Sequence, residues 1–309
     1  MEAFLVLLFH AVGSGLILFL LGAGLTLVYG LMGVMNFAHA SMSMLGAYLG
    51  YSLSGHIGFV GALCVAPVAT GLVGAAFERF VLRRAHGQGP LAELLVTFGA
   101  SYLILELVQW VWGRGPVDYR VPAALAGVWR VHGVGVPVYR LVAMGVSVFV
   151  LAGLWWVWSC TRIGPLLRAA ATHPQALQTL GYDVPSLLMW TFGAGSALAG
   201  LAGVLAGNLY VTEPEMAASV AGWLFVVVVV GGLGSLRGAF VASMALGMVQ
   251  TLAAAAPATL GDLLQVPGWS GGAAHCAVCA VPLGAIAPML PYLWLVVALA
   301  LRPVEDTRQ

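Results

Sequence analysis

Long apolar runs separated by brief polar breaks set the pattern of this chain. The hydrocarbon core of a bilayer takes about 20 apolar residues in a helix. Eight segments meet that need: 4–30, 40–57, 59–79, 91–112, 139–159, 185–207, 217–232 and 238–256. The stretch 281–301 is a candidate ninth, and segments 40–57 and 217–232 are short or broken by small residues. The pattern predicts an all-α fold: a polytopic transmembrane helical bundle of about eight spans, with broken or short helices, forming a single domain over residues 1–309. The first span follows Glu2 with no basic residue before it. It lacks the positive region of a signal peptide and is too long for one, so it reads as a retained helix.

The first break sets Asn36, Phe37 and His39 side by side between two apolar runs. Two readings stand. Asn36 is a good N-cap for the following helix, with His39 at an interface. Alternatively the break builds a site within the membrane, because broken helices expose backbone partial charges there.

Arginines orient the spans. Arg79, Arg83 and Arg84 follow the third segment, Arg162 and Arg168 the fifth, and Arg302 and Arg308 the last. The positive-inside rule puts these regions in the cytoplasm. Alternation then puts the N-terminus, 113–138 and 208–216 outside, and 31–40 inside. The first break therefore falls in the cytoplasmic half, as an inner gate or helix-end site rather than an entry. The loop 113–138 argues the other way, with Arg114, Arg120 and Arg130 against Asp118.

Within the spans, Glu106 and Gln109 lie near the outer end of the fourth segment. An intramembrane carboxylate is costly and marks a functional candidate; the neighbouring Trp110 and Trp112 support an interfacial reading instead. Glu93 reads as a boundary residue beside the arginine cluster. In the sixth segment Gly195, Ala199, Gly203 and Gly207 recur every four residues, a small-residue stripe for close helix packing. Gly231, Gly232 and Gly234 then make a tight cytoplasmic turn. Between the fifth and sixth spans, Pro174 suits the first position of a short helix and Gly181 the position just past its end. Thr172 or His173 would cap it, Thr being the better residue. A helix of two turns is unstable alone. It needs a docking surface, either a partner's or its own bundle's.

Composition agrees with membrane residence. The chain is 61% hydrophobic and 7% charged, against about a quarter charged in soluble domains. All 12 basic residues are Arg. Without Lys there is no Walker A site, so any ATP is hydrolysed by another chain. The net charge of +1 gives no reason to invoke nucleic acid. Cys64 and Cys160 read as small core residues. His275, Cys276 and Cys279 resemble half a metal site, but a structural zinc takes four ligands and no second pair is present. No metal and no cofactor are expected; the segment reads as a poorly specified one with incidental thiols, the alternative being a labile disulfide if it faces an oxidising compartment.

Several motifs, in order, carry a family resemblance. Gly24-Leu25-Thr26-Leu27-Val28-Tyr29-Gly30, Asn36-Phe37-Ala38-His39 and Met44-Leu45-Gly46-Ala47-Tyr48 resemble the N-terminal signature of branched-chain amino acid ABC-transporter permeases, specifically the shorter membrane subunit. Glu78-Arg79, Thr97-Phe98-Gly99, Thr161-Arg162-Ile163-Gly164 with Arg168-Ala169, Ala199-Gly200-Leu201-Ala202-Gly203 and Gly231-Gly232-Leu233-Gly234-Ser235 continue it over roughly residues 12–250. The resemblance implies an inner-membrane import subunit without catalytic residues. Its implied partners are a second permease subunit, two cytoplasmic ATPases and an extracytoplasmic solute-binding protein, with branched-chain or related amino acids as cargo. It also implies that Pro174, Gln175, Ala176, Leu177 and Gly181 belong to a coupling helix within 172–182 that docks on the ATPase. Gln175 stands where Glu is usual, Leu177 where Ala is usual, and His173 where Asp or a polar residue is usual. Residues 256–290 depart from the family pattern. Asn36, Phe37, His39, Thr97 and Glu106 are the translocation-path candidates.

Two other function classes fit less of the chain. An ion-coupled secondary transporter needs a membrane-buried acid, and Glu106 is the one candidate. An intramembrane enzyme needs a nucleophile such as Ser196 or Ser235 paired with His, and no such pairing follows from the spacing.

Overall fold

The computed structural model describes residues 2–33, 35–131, 134–256 and 281–301. Its helices are α1 (Glu2–Met32), α2 (Ala38–Phe77), the short α3 (Arg83–Ala85), α4 (Pro90–Trp112), α5 (Val138–Cys160), α6 (Ile163–Thr172), α7 (Pro174–Thr179), α8 (Val184–Gly207), α9 (Met216–Gly231), α10 (Leu236–Ala255), α11 (Leu283–Ile286) and α12 (Leu290–Leu301). A small antiparallel hairpin, β1 (Val128–Val131) and β2 (Val134–Pro137), interrupts the loop before α5. Among the described residues, seven helices are long and apolar enough to cross a membrane, and Met216–Gly231 is a shorter apolar one.

The longest apolar helix, Ala38–Gln88, has 51 residues, more than twice what a bilayer needs. It does not run straight. Gly58 takes φ 73°, ψ 168°, a backbone region open essentially to glycine alone, and the chain reverses there. Gly46 and Thr70 would lie about 36 Å apart along a straight helix, yet both meet Gly200 of α8. The arm 38–57 runs parallel to α8, with Gly46 against Gly200 and Gly50 against Val204. The arm 59–77 runs antiparallel, with Thr70 at Gly200 and Ala75 at Gly193. The sequence segments 40–57 and 59–79 are therefore two successive crossings.

Helix α8 is the post around which this hairpin folds. Gly195 approaches Gly24 of α1, while Gly203 and Gly207 approach Ser43 and Ala47 of the first arm. This is the small-residue stripe expected at 195, 199, 203 and 207. A second face, carrying Gly193, Ser196, Ala197 and Gly200, receives Thr70, Gly71, Gly74 and Ala75 of the second arm. Backbones this close gain dispersion and weak Cα–H···O contacts, which drive helix association where burial from water cannot.

The connections alternate between two ends. At one end Leu31 packs in a cluster with Leu167, Leu177 and Val184, Gly30 meets Gly234, and Arg83 donates to the Pro185 carbonyl at 2.8 Å. At the other end Val117 N–H donates to the Thr212 carbonyl at 2.9 Å, and Trp112 Nε1 donates to Ser52 Oγ at 2.7 Å. The arginines at 79, 83, 84, 162 and 168 share the first end, as the orientation argument requires. In the opposing loop, Arg120 pairs with Asp118 at 2.5 Å.

Two sequence readings are corrected. Cys64 and Cys160 are exposed on the bundle's outer surface; in an apolar solvent a small apolar residue gains nothing from turning inward. Thr172 does not cap α7, because its Oγ1 donates back to the Arg168 carbonyl within α6. His275, Cys276 and Cys279 lie outside the described residues.

Candidate functional site

The first arm of α2, α4 and the start of α9 enclose a cleft of about 280 Å3, near the small end for a ligand site. Its mouth, at the Val117–Thr212 end, carries Gln109, Pro214 and Glu215, and its floor is Phe37. Ala40, Leu105, Ala217 and Ala221 give apolar walls, and Ser41, Ser101 and Tyr102 add hydroxyls. Ser41 Oγ donates to the Ser101 carbonyl at 3.2 Å, tying the two walls together. Phe37 meets Phe98 edge to face, with centroids 6.1 Å apart. Beneath Phe37 lies a smaller cavity of about 40 Å3, lined by Leu25, Asn36, His39 and Leu224, enough for a water molecule.

The break at 33–37 places these groups. Gly33 has φ +70°, turning the chain back from the end of α1 into the bundle. Asn36 Oδ1 accepts from Ala38 N–H at 3.0 Å, an Asx turn one residue ahead of the N-cap position, which Phe37 occupies without a side-chain bond, while Asn36 Nδ2 is buried without a partner. His39 is buried, with Nε2 3.1 Å from the Leu21 carbonyl. A carbonyl only accepts, so Nε2 carries the proton and Nδ1, which has no partner, is left as an acceptor. Gly24 makes room for this ring, since a Cβ there would fall 2.8 Å from His39 Cε1. Leu21 and Gly24 lie past the midpoint of α1, in the half nearer α7.

The remaining path candidates divide. Thr97 is buried on α4, its hydroxyl donating to the Leu94 carbonyl at 3.0 Å, and it does not line the cleft. Glu106 is exposed and outside the cleft. The face of α4 that does line it carries Phe98, Ser101, Tyr102, Leu105 and Gln109. Their helical spacing was visible in the sequence as a polar and aromatic stripe. Glu215 gave no such signal, because only the fold brings the 208–215 loop to the mouth.

At the far end, α7 is a closed short helix. Pro174 is its first residue. Gly181 has φ +89°, its N–H donates to Gln178 O at 2.9 Å, and Tyr182 N–H donates to Leu177 O at 3.2 Å, the paired bonds of a Schellman ending. Leu177 is buried against Leu31, Leu167, Ala170 and Val184. Pro174, Gln175, Ala176, Gln178, Thr179 and Leu180 are all exposed. One side chain anchors the helix to its own bundle, and the rest of its surface is free.

At the turn after α9, Gly232 and Gly234 have φ +90° and +79°, and Gly231 lies against Gly238. Ser235 Oγ accepts from Gly238 N–H at 3.1 Å, so this hydroxyl caps α10. Ser196 is packed against Gly74 of α2.

The family model for the permease component of branched-chain amino acid transport systems matches residues 7–301. The chain belongs to this family. It is 28% identical over 272 residues to the high-affinity branched-chain amino acid transport system permease protein LivH of Escherichia coli, covering 82% of this chain and 86% of that one. It is 27% identical to LivH of Salmonella typhimurium over 272 residues, with the same coverage. It is 27% identical to BraD of Pseudomonas aeruginosa over 251 residues, covering 76% of this chain and 81% of the relative. This permease is thus a multi-pass inner-membrane transport subunit of the ABC type, not an enzyme. Its kind implies ATPase and binding-protein partners.

Proposed function

We propose that this permease forms half of the translocation path of an ATP-driven importer for branched-chain or closely related amino acids. Its partners would be a second permease subunit, two cytoplasmic ABC ATPases and an extracytoplasmic solute-binding protein. The observation that carries the proposal is α7: a two-turn helix begun by Pro174 and closed at Gly181, anchored by Leu177 and otherwise presented outward. Leu177 supplies the docking that so short a helix needs, which leaves its outward face free for the coupling contact that the family resemblance implies. Gln175 removes one charge from that contact and leaves its position unchanged.

The cleft supports the cargo class. A zwitterion needs a partner for each charge without being held tightly. Glu215 at the mouth suits the ammonium, and the amide N–H of Gln109, also at the mouth, suits the carboxylate carried on the same carbon. The apolar wall of Ala40, Leu105, Ala217 and Ala221 suits an aliphatic side chain. Phe37 against Phe98 closes the floor and serves as the gate. The link to α7 is short: Leu177 packs in one cluster with Leu31, and Leu31 ends the helix whose exit leads to Phe37. Movement of α7 on ATP binding would shift the end of α1 and reset the break, a two-position element of the kind that alternating access needs.

Deleting residues 174–181 is the test. In the assembled transporter the deletion should abolish stimulation of ATP hydrolysis by substrate-loaded binding protein. Normal stimulation in the deletion would remove the coupling assignment.

A further inference from the structure

A second, larger groove of about 850 Å3 shares no residue with the cleft. It lies between α5 and α10, with Phe19 of α1 among its lining. Val148, Leu151, Phe240 and Val241 make its apolar length. At the α7 end two guanidiniums converge. Arg168 of α6 sits 5.4 Å from the ring centre of Trp158, and Arg237 of α10 sits 5.1 Å from that of Trp155. The two tryptophans are three residues apart, on one face of α5. No Asp or Glu lines the groove. Among the described residues neither arginine has a carboxylate partner, and both are exposed. The first turn of α10 adds the positive end of a helix dipole beside Arg237.

We propose that this groove binds an anionic phospholipid of the cytoplasmic leaflet. Its phosphate would lie between Arg168 and Arg237, its glycerol region against Trp155 and Trp158, and its acyl chains along Leu151, Val148 and Phe240. The arginines and tryptophans stand at the end of α5, the depth at which such residues meet headgroups. The walls then run about 10 Å toward the membrane centre from Trp155 to Val148, which suits acyl chain and not a free phosphate ion. A protein helix fits less well. The close helix contacts in this chain are made through glycine, as at Gly15 with Gly247 and Gly46 with Gly200, whereas these walls are Leu, Val, Phe and Trp. A partner's helix would also have to bring acid to two unpaired cations. Arg168 lies on α6, immediately before α7, so a bound headgroup would steady the helix that leads into the coupling element.

The experiment is native mass spectrometry of the full transporter released from membranes that contain phosphatidylglycerol and phosphatidylethanolamine. Wild-type complex should retain phosphatidylglycerol well above its share of the membrane. Arg168→Gln with Arg237→Gln should cut that enrichment by about tenfold, given the worth of two basic groups at an anionic surface. Arg168→Lys with Arg237→Lys should keep most of it, which separates lost charge from misfolding. Arg79→Gln with Arg84→Gln, at the same end but outside the groove, should leave it unchanged. Equal enrichment in wild type and the Gln pair would overturn the proposal. So would loss of the second permease subunit from the Gln pair with lipid retention intact, which would make the groove a subunit interface. Because the readout is bound lipid, it stands or falls independently of the import reading.

Discussion

Glu78 is a carboxylate with no solvent exposure, held by Arg83 at 3.1 Å. The same guanidinium reaches Pro185 at the start of α8, so one buried charge ties the end of the second arm of α2 to the start of α8. Breaking a buried pair from one side leaves the other charge stranded. Arg83 is about one-third exposed, which screens part of that loss. Glu78→Ala should therefore destabilise the protein by about 2 kcal/mol, read as a lower thermal midpoint in detergent, with Glu78→Gln losing less. An unchanged midpoint would mean the pair holds nothing. Asp183 makes a pH-dependent case. Its Oδ1 accepts from Ser186 N–H at 3.2 Å, capping α8, and hydrogen bonds from Ser186 hold its carboxyl below its ordinary value of 3.8. A depressed carboxyl pKa contributes stability above the ordinary value, and that contribution is lost as pH falls through the lowered one. The difference in thermal midpoint between wild type and Asp183→Ala should thus be present at pH 7 and shrink below about pH 4. His39 fills a space cleared by Gly24. His39→Ala should cost about 2–3 kcal/mol through the cavity it leaves, and if uptake and ATPase coupling then stay normal, His39 is a packing residue.

The α2 hairpin rests on one glycine. At Gly58, φ 73° and ψ 168° exclude side chains bearing a Cβ at a cost of about 1–3 kcal/mol, so Gly58→Ala should lower stability by that amount. Gly203→Val should do worse, because its side chain would meet the backbone of Ser43 and Ala47 and force α2 off α8. Loss of folded protein after detergent extraction would report it. Gly55, with open space around it, is the control: Gly55→Ala should be tolerated. These positions also show what was legible. Hydropathy separated 40–57 from 59–79 because two bilayer lengths of apolar residues stand in series. It located the break near 58, and the arginine placement required the chain to turn back there; the positive φ of Gly58 that makes the turn came only with the fold. The four-residue repeat exposed the stripe at Gly195, Ala199, Gly203 and Gly207. The second stripe, at Gly193, Ala197 and Gly200, follows mixed three- and four-residue spacing and stayed hidden among many small residues. Of the two residues offered for the start of α7, His173 takes the N-cap position without a side-chain bond, while the Thr172 hydroxyl bonds back into the preceding turn.

At the scale of the whole molecule, order along the chain was readable and convergence across it was not. Apolar run length and arginine placement gave the spans and their alternation, because each depends on the bilayer and not on neighbouring helices. The cleft needs Phe37, Phe98 and Glu215 from three separate parts of the chain, and Glu106, exposed, stands apart from them. The two ends nonetheless connect: Glu215 and the cleft floor lie on one side of the break, and Leu31 with α7 on the other. Under the proposed coupling, ATP binding relayed through α7, not an ion gradient, would move the gate. The most direct test is uptake of radiolabelled leucine by proteoliposomes containing this permease, its partner permease, the ATPases and external binding protein. Uptake should require internal ATP and persist when an ionophore collapses the proton gradient. Uptake that proceeds without the ATPases and stops with the gradient would contradict this account.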